Sequence, residues 1–238
     1  MAYTRKEIIA KYMSKKALDY LKSNLDNLLN ELKIDAKKVN FSYINFGTAV
    51  EPYVKNHLVK IFSKGGFVKN KSDYKESKDK NEFPDFILFS KPPLILEIKT
   101  GNRFSKNDGG WEECKNSEND MGTLNSWEAK LKKFGAENIY YILIEYADKG
   151  DGLDVIKVSV DNFYKYLDLN KDGFLRYREK DGNLRPKNFT ATPKINTIKQ
   201  FMDLLGETNK YRAKRLVKKH LNSLPEKEKK ELLADLMK

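Results

Sequence analysis

Between Pro84 and Lys99 the chain reads Pro-Asp-Phe-Ile-Leu-Phe-Ser-Lys-Pro-Pro-Leu-Ile-Leu-Glu-Ile-Lys. From Leu94 to Lys99 the residues alternate with a period of two, as a strand with one buried face does. Leu94, Leu96 and Ile98 point one way, while Ile95, Glu97 and Lys99 point the other. Glu97 and Lys99 are therefore neighbours about 6–7 Å apart along one face. Asp85 opens the preceding apolar run, Phe86 to Phe89, and Lys91-Pro92-Pro93 turns between the two. Three ionisable groups in so apolar a hairpin must pair, bind a cation or do chemistry.

Two carboxylates converging on one point are hard oxygen ligands suited to Mg²⁺, which keeps several waters and takes phosphate oxygens as well. A cation there lowers the pKa of a water and neutralises charge building on a phosphorane. A lysine beside it orients or deprotonates the water, or stabilises that charge. Pro84-Asp85 followed by Glu97-Ile98-Lys99 resembles the PD-(D/E)xK nuclease superfamily, whose pattern is Pro-Asp, a gap, then (Asp/Glu)-x-Lys. The resemblance spans about residues 45–146. It implies Asp85 and Glu97 as Mg²⁺ ligands, with the carbonyl of Ile98 as a third donor and Lys99 as the residue handling the water. A solvated ion pair on an edge hairpin is the bland alternative, and would contribute little to stability.

Phe46 to Phe62 reads as an amphipathic helix, with Val50, Tyr53, Val54, Leu58, Ile61 and Phe62 at three- and four-residue spacing. Glu51 lies beside that stripe. Superfamily members often carry a glutamate facing the metal site from such a helix, which the resemblance assigns to Glu51. A solvated acid favoured by the helix dipole is the alternative. Pro52 fits as a first-turn residue.

Along the rest of the chain, residues 5–33 read as one or two packing helices, and 69–80 as a solvated connector. Residues 100–125 are polar and leave the Glu-x-Lys strand directly, so they are expected over a substrate. Arg103, Lys106, Asn107 and Asn125 are types that contact phosphates or read base edges. Leu124–Phe134 is a helix with Ser126 as candidate N-cap, and Ile139–Tyr146 is the strongest strand. Asp154–Val160 is a further strand and 161–167 a short helix. Asp168–Glu179 matches a calcium-loop pattern. The turn-rich 180–186 segment cannot supply the second helix such a loop needs, so calcium binding is not expected. Instead Asn170–Gly173 reads as a turn, with 174–178 as a strand of a basic ribbon bearing Arg176, Arg178, Arg185, Lys187 and Asn188. From 194 onward the chain is helical, with a densely basic stretch at 211–220 suited to a nucleic-acid backbone.

These readings predict an α/β (α+β) fold: a restriction-endonuclease-like core of a mixed sheet flanked by helices, with a helical C-terminal extension. One domain over 1–238 is expected, comprising a helical part (1–44), the catalytic core (45–146), a strand and hairpin region (150–190) and a basic helical end (194–238). The formal charge of +12, from 46 basic and 34 acidic residues, favours a polyanion. No apolar run approaches a membrane span or signal core, and one cysteine with two histidines excludes a disulfide framework and an ordinary zinc site. The expectation is a cytoplasmic, Mg²⁺-dependent type II restriction endonuclease. It would cut double-stranded DNA to leave 5′-phosphates, act as a homodimer, and be encoded beside a cognate methyltransferase. A repair nuclease, a Holliday-junction resolvase on the same fold, a non-catalytic DNA-binding protein and a calcium-modulated binding module are the rivals.

Overall fold

The structure is a computed structural model and describes residues 5–39, 41, 45–79, 82–107, 110–117, 119–148 and 152–230; side chains at 5–12, 105–107 and 148 lie outside the description. Three helices come first: α1 (Arg5–Ser23), α2 (Leu25–Val39) and α3 (Phe46–Lys64). The amphipathic stretch at 5–33 is thus two helices, broken at Asn24, and the second runs on to Val39. Strands β1 (Tyr74–Glu76), β2 (Phe86–Leu88) and β3 (Leu94–Asn102) follow, then a small ribbon of β4 (Phe104–Asn107) and β5 (Gly110–Glu113). Helix α4 (Leu124–Phe134) leads to β6 (Ile139–Asp148) and β7 (Leu153–Asn162), and α5 (Ile198–Ser223) follows.

The main sheet has the order β1-β2-β3-β6-β7. β3 and β6 are parallel, joined through α4, and the other pairs are antiparallel. This is the mixed sheet with flanking helices that the sequence predicts. The period-two pattern sorts the sheet's side chains into two cores. Leu94, Leu96, Ile98, Ile142, Ile144 and Val158 face α1, α2 and α3. Ile95, Ile139 and Tyr141 face α4, the 163–167 turn and the first half of α5. In that second core Trp127 is fully buried and stacks on Phe163 at 4.0 Å, with Phe201 edge-on at 5.7 Å. Aromatic pairs of this kind add about 0.5–1.5 kcal/mol each beyond the area they bury.

Several local expectations are corrected. The 69–80 connector contains a 3₁₀ turn (Lys71–Asp73) and then β1, which pairs with β2. Asp73 Oδ2 accepts the Lys69 and Asn70 N–H groups, and Tyr74 stacks on Phe86 at 5.5 Å. Lysines and glutamates hid that edge strand, because little but Tyr74 needed burial. The polar 100–125 stretch is not one loop: β3 continues to Asn102 and the β4–β5 ribbon follows. α4 is capped by Thr123, whose Oγ1 accepts the Ser126 N–H at 3.2 Å, so Ser126 lies within the helix. α3 starts at Phe46, which places Pro52 inside the helix rather than in its first turn; it leaves the Thr48 carbonyl without its usual donor.

The 174–178 segment is not a ladder strand. The region is held by isolated bridges, Leu169 to Leu175 and Tyr177 to Leu184 among them. The Asn170–Gly173 turn is present, with Asn170 Oδ1 accepting the Asp172 and Phe174 N–H groups. Asp168 pairs with Arg176 and Lys194, and Glu179 with Arg215, so these carboxylates of the calcium-loop pattern already have cations. Leu232, Leu233 and Leu236 lie outside the described residues.

Candidate active site

β2 is only three residues long, so the edge of β3 is uncovered beyond Leu96, the partner of Phe86. Asp85 fills that gap. Its Oδ2 accepts the Ile98 N–H at 2.6 Å, a hydrogen bond that a longer β2 would have taken with its backbone. A strand residue's N–H and C=O leave on the same edge, so the Ile98 carbonyl also faces the edge that Asp85 occupies. Glu97 and Lys99 share the face of Ile95, and Lys99 Nζ donates to Glu97 Oε1 at 2.8 Å. Asp85 and Glu97 are buried, at 5% and 9% exposure, so their charges interact with little screening.

The electrostatics follow from that burial. Desolvation, then the neighbouring Glu97 and Glu51 carboxylates, push the Asp85 carboxyl up to about 7, against the pull of the Ile98 N–H and Lys99. Burial works against the charge on Lys99, but Glu97, Asp85 and Glu51 outweigh it and its pKa is raised. Glu51 therefore approaches the cluster from α3, where it pairs with Lys55. Lys55 in turn donates to the hydroxyl of Ser77 at 2.6 Å and ties α3 to the segment after β1. The close seat of α3 on β3 needs Gly47, where a Cβ would stand 2.9 Å from Thr100 Oγ1.

Asp85, Glu97, Lys99 and Glu51 are thus brought together from three elements. Glu97 Oε2 is buried with no hydrogen-bond partner. Among the described residues no three His, Cys, Asp or Glu side chains stand close enough to hold a metal ion on their own. The donors present are two carboxylates and a carbonyl. That set, with an orphaned oxygen and a carboxylate pair that resists losing its last proton, fits a hard divalent cation that keeps several waters.

The DNA-contact candidates divide into groups. Lys187 and Asn188 line a cavity of about 70 Å³ beside Lys99, with Lys157 and Glu145. Arg103 binds Glu145 at 2.9 Å and Glu113 at 2.6 Å, over the ring of Phe189 at 4.8 Å. Arg178 and Arg185 share Asp120, each at 2.9 Å, and Arg176 holds Asp168 at 3.4 Å. Asn125 is exposed on the first turn of α4, and the side chains of Lys106 and Asn107 lie outside the description. Sequence reasoning missed Lys130. It lies on α4 near enough to Glu97, Lys99 and Asp85 to feel their charges. Its signal was there: it stands three residues after Trp127 and four before Phe134, on the inward side of the helix.

The fold is that of restriction endonucleases, a mixed five-stranded sheet between helical layers. Among solved structures the NlaIV restriction endonuclease matches with a TM-score of 0.53 and 14% sequence identity, over 77% of this chain and 77% of that one. The likeness is one of fold. No protein-family model and no curated protein sequence matches the chain.

Proposed function

We propose that this protein is a Mg²⁺-dependent endonuclease of the PD-(D/E)xK type, acting on double-stranded DNA as a type II restriction enzyme. One observation carries the reading: Asp85, bound to the Ile98 N–H, and Glu97, bound to Lys99, are buried side by side at the uncovered edge of β3. Buried carboxylates without matching cations are costly, and a fold shared with a restriction endonuclease gives that cost a purpose.

In this reading Asp85, Glu97 and the Ile98 carbonyl hold Mg²⁺, with Glu51 acting through water. The cation, when bound, supplies a water of lowered pKa and positive charge opposite the phosphate. Lys99 keeps its proton, because the carboxylates around it raise its pKa. It therefore orients the attacking water and stabilises charge on the phosphorane as a donor, not as a base. Attack in line on phosphorus breaks the bond to the 3′-oxygen and leaves a 5′-phosphate. Lys187 and Asn188, which line a cavity together with Lys99, would contact the DNA strand held there. Arg103, Lys106, Asn107, Asn125, Arg176, Arg178 and Arg185 supply further contacts around it. The exposed basic half of α5 adds backbone affinity without sequence preference.

The two cores share one sheet, which supports a single catalytic unit with the boundaries drawn above. Cutting both strands of a pseudo-symmetric site calls for two such sites, hence a homodimer. Host DNA would then need a cognate methyltransferase, in a shared cytoplasm. Among the described residues no helix is long and apolar enough to cross a membrane.

Incubation of plasmid DNA with the protein and Mg²⁺ is the test. Discrete fragments with 5′-phosphate ends support the restriction reading. Cutting confined to branched DNA indicates a resolvase or repair nuclease, and binding without cutting a non-catalytic protein.

A further inference from the structure

Three lysines stand among the carboxylates of the site, and two of them are paired. Lys99 holds Glu97 and Lys55 holds Glu51. The third, Lys130, has no carboxylate at ion-pair distance among the described residues. Its ammonium lies 4.0 Å from the centre of the Phe83 ring and 5.0 Å from that of Trp127. Phe83 immediately precedes Pro84-Asp85, so this ammonium is held at the wall of the carboxylate site by the segment that delivers Asp85. Gly122 closes the other side, where a Cβ would come within 3.1 Å of Lys130 Nζ. Ring faces attract a cation but do not replace its water shell. A half-buried ammonium without a counter-ion is an unfavourable arrangement unless an anion visits it.

We propose that Lys130 is the anion-binding residue of this site and receives a non-bridging oxygen of the phosphodiester, from the side of the cluster opposite α3. The inference rests on the nuclease reading and deepens it. Burial, and then the repulsion of Lys99, oppose the charge on Lys130 and leave its pKa lowered, although Glu97 and Asp85 pull the other way. An incoming phosphate reverses that balance. Lys99 and Lys130 would then flank the phosphate, one on the strand and one on the helix. The role is electrostatic: no bond to Lys130 forms or breaks.

The test uses the full chain, with its lysines reductively ¹³C-methylated and the Lys130 resonance identified by its loss in Lys130→Arg. Adding a duplex oligonucleotide in EDTA should shift that resonance, whatever the recognition sequence. In Mg²⁺, Lys130→Met should cut DNA on the order of 100-fold more slowly, Lys130→Arg should recover most of the rate, and the melting temperature of Lys130→Met should be unchanged or raised. A Lys130 resonance unmoved at saturating duplex overturns the inference. So does a folded Lys130→Met that cuts within about threefold of the parent, a result that leaves the nuclease reading intact. If Lys130→Met does not fold, the resonance and the Lys130→Arg rate decide. A protein that binds no duplex at all removes the nuclease reading, and this inference with it.

Discussion

Replacing Asp85 with Asn removes one negative charge from the carboxylate cluster while keeping the shape of the side chain and an oxygen for the Ile98 N–H. The native state holds a proton on Asp85 up to about pH 7, against an ordinary 3.8. Between those values the folded protein binds more protons than the unfolded chain, so its stability falls as pH rises through the window. Three pKa units at about 1.4 kcal/mol each set a ceiling of about 4 kcal/mol. Taking half, because water and Lys99 screen the pair, gives about 2 kcal/mol at pH 8. For a chain of this size that is about 4–8 °C in melting temperature. Urea unfolding of both proteins in EDTA should give similar midpoints below pH 3.8, where Asp85 is protonated in both states, and a more stable Asp85→Asn at pH 8. Mg²⁺ should then stabilise the parent alone, in proportion to the logarithm of its concentration, and only the parent should cut DNA. An Asp85→Asn protein less stable than the parent at pH 8, or one with the same pH dependence, would refute the carboxylate-repulsion argument.

Three other perturbations test separate parts of the structure. Lys99→Met leaves both Glu97 oxygens without a partner, so the metal-free protein should lose about 2 kcal/mol or more and cleavage should fall on the order of 100-fold; an unchanged urea midpoint would contradict the pairing. Trp127→Ala empties the centre of the second core, and a loss of about 3–5 kcal/mol is expected in urea unfolding. Changing the exposed Lys214, Lys218 and Lys219 together to Gln should flatten the plot of log affinity for non-specific duplex against log salt concentration by about 2–3. A slope that does not move would take α5 out of the DNA surface.

The elements read correctly from the sequence are those that bury much of their apolar surface. α3 buries one stripe and β3 both faces from Leu94 to Ile98, so the apolar spacing reports each element directly. β1 and β5 bury little, and a strand with no face to hide has no alternation to read. The 167–186 region failed for the opposite reason. Leu175 and Leu184 are buried, but they are fixed by single bridges and by Thr208, whose Oγ1 accepts the Leu175 N–H from α5. That partner is 33 residues away in sequence, and nothing local announces it.

The candidate site divides along the same line. Asp85, Glu97 and Lys99 belong to one hairpin: strand alternation alone puts Glu97 and Lys99 on one face, and a tight turn brings the run that Asp85 opens alongside them. Glu51 needed the motif resemblance as well, because a helix stripe states which side is buried but not against what. Chain folding alone decided that Asp85 caps the Ile98 N–H, that Arg178 and Arg185 share Asp120, and that Lys130 lies over the Phe83 ring with no carboxylate at ion-pair distance among the described residues. Each of those depends on which distant charges meet and how far water is excluded between them, and both are set by packing across the sheet.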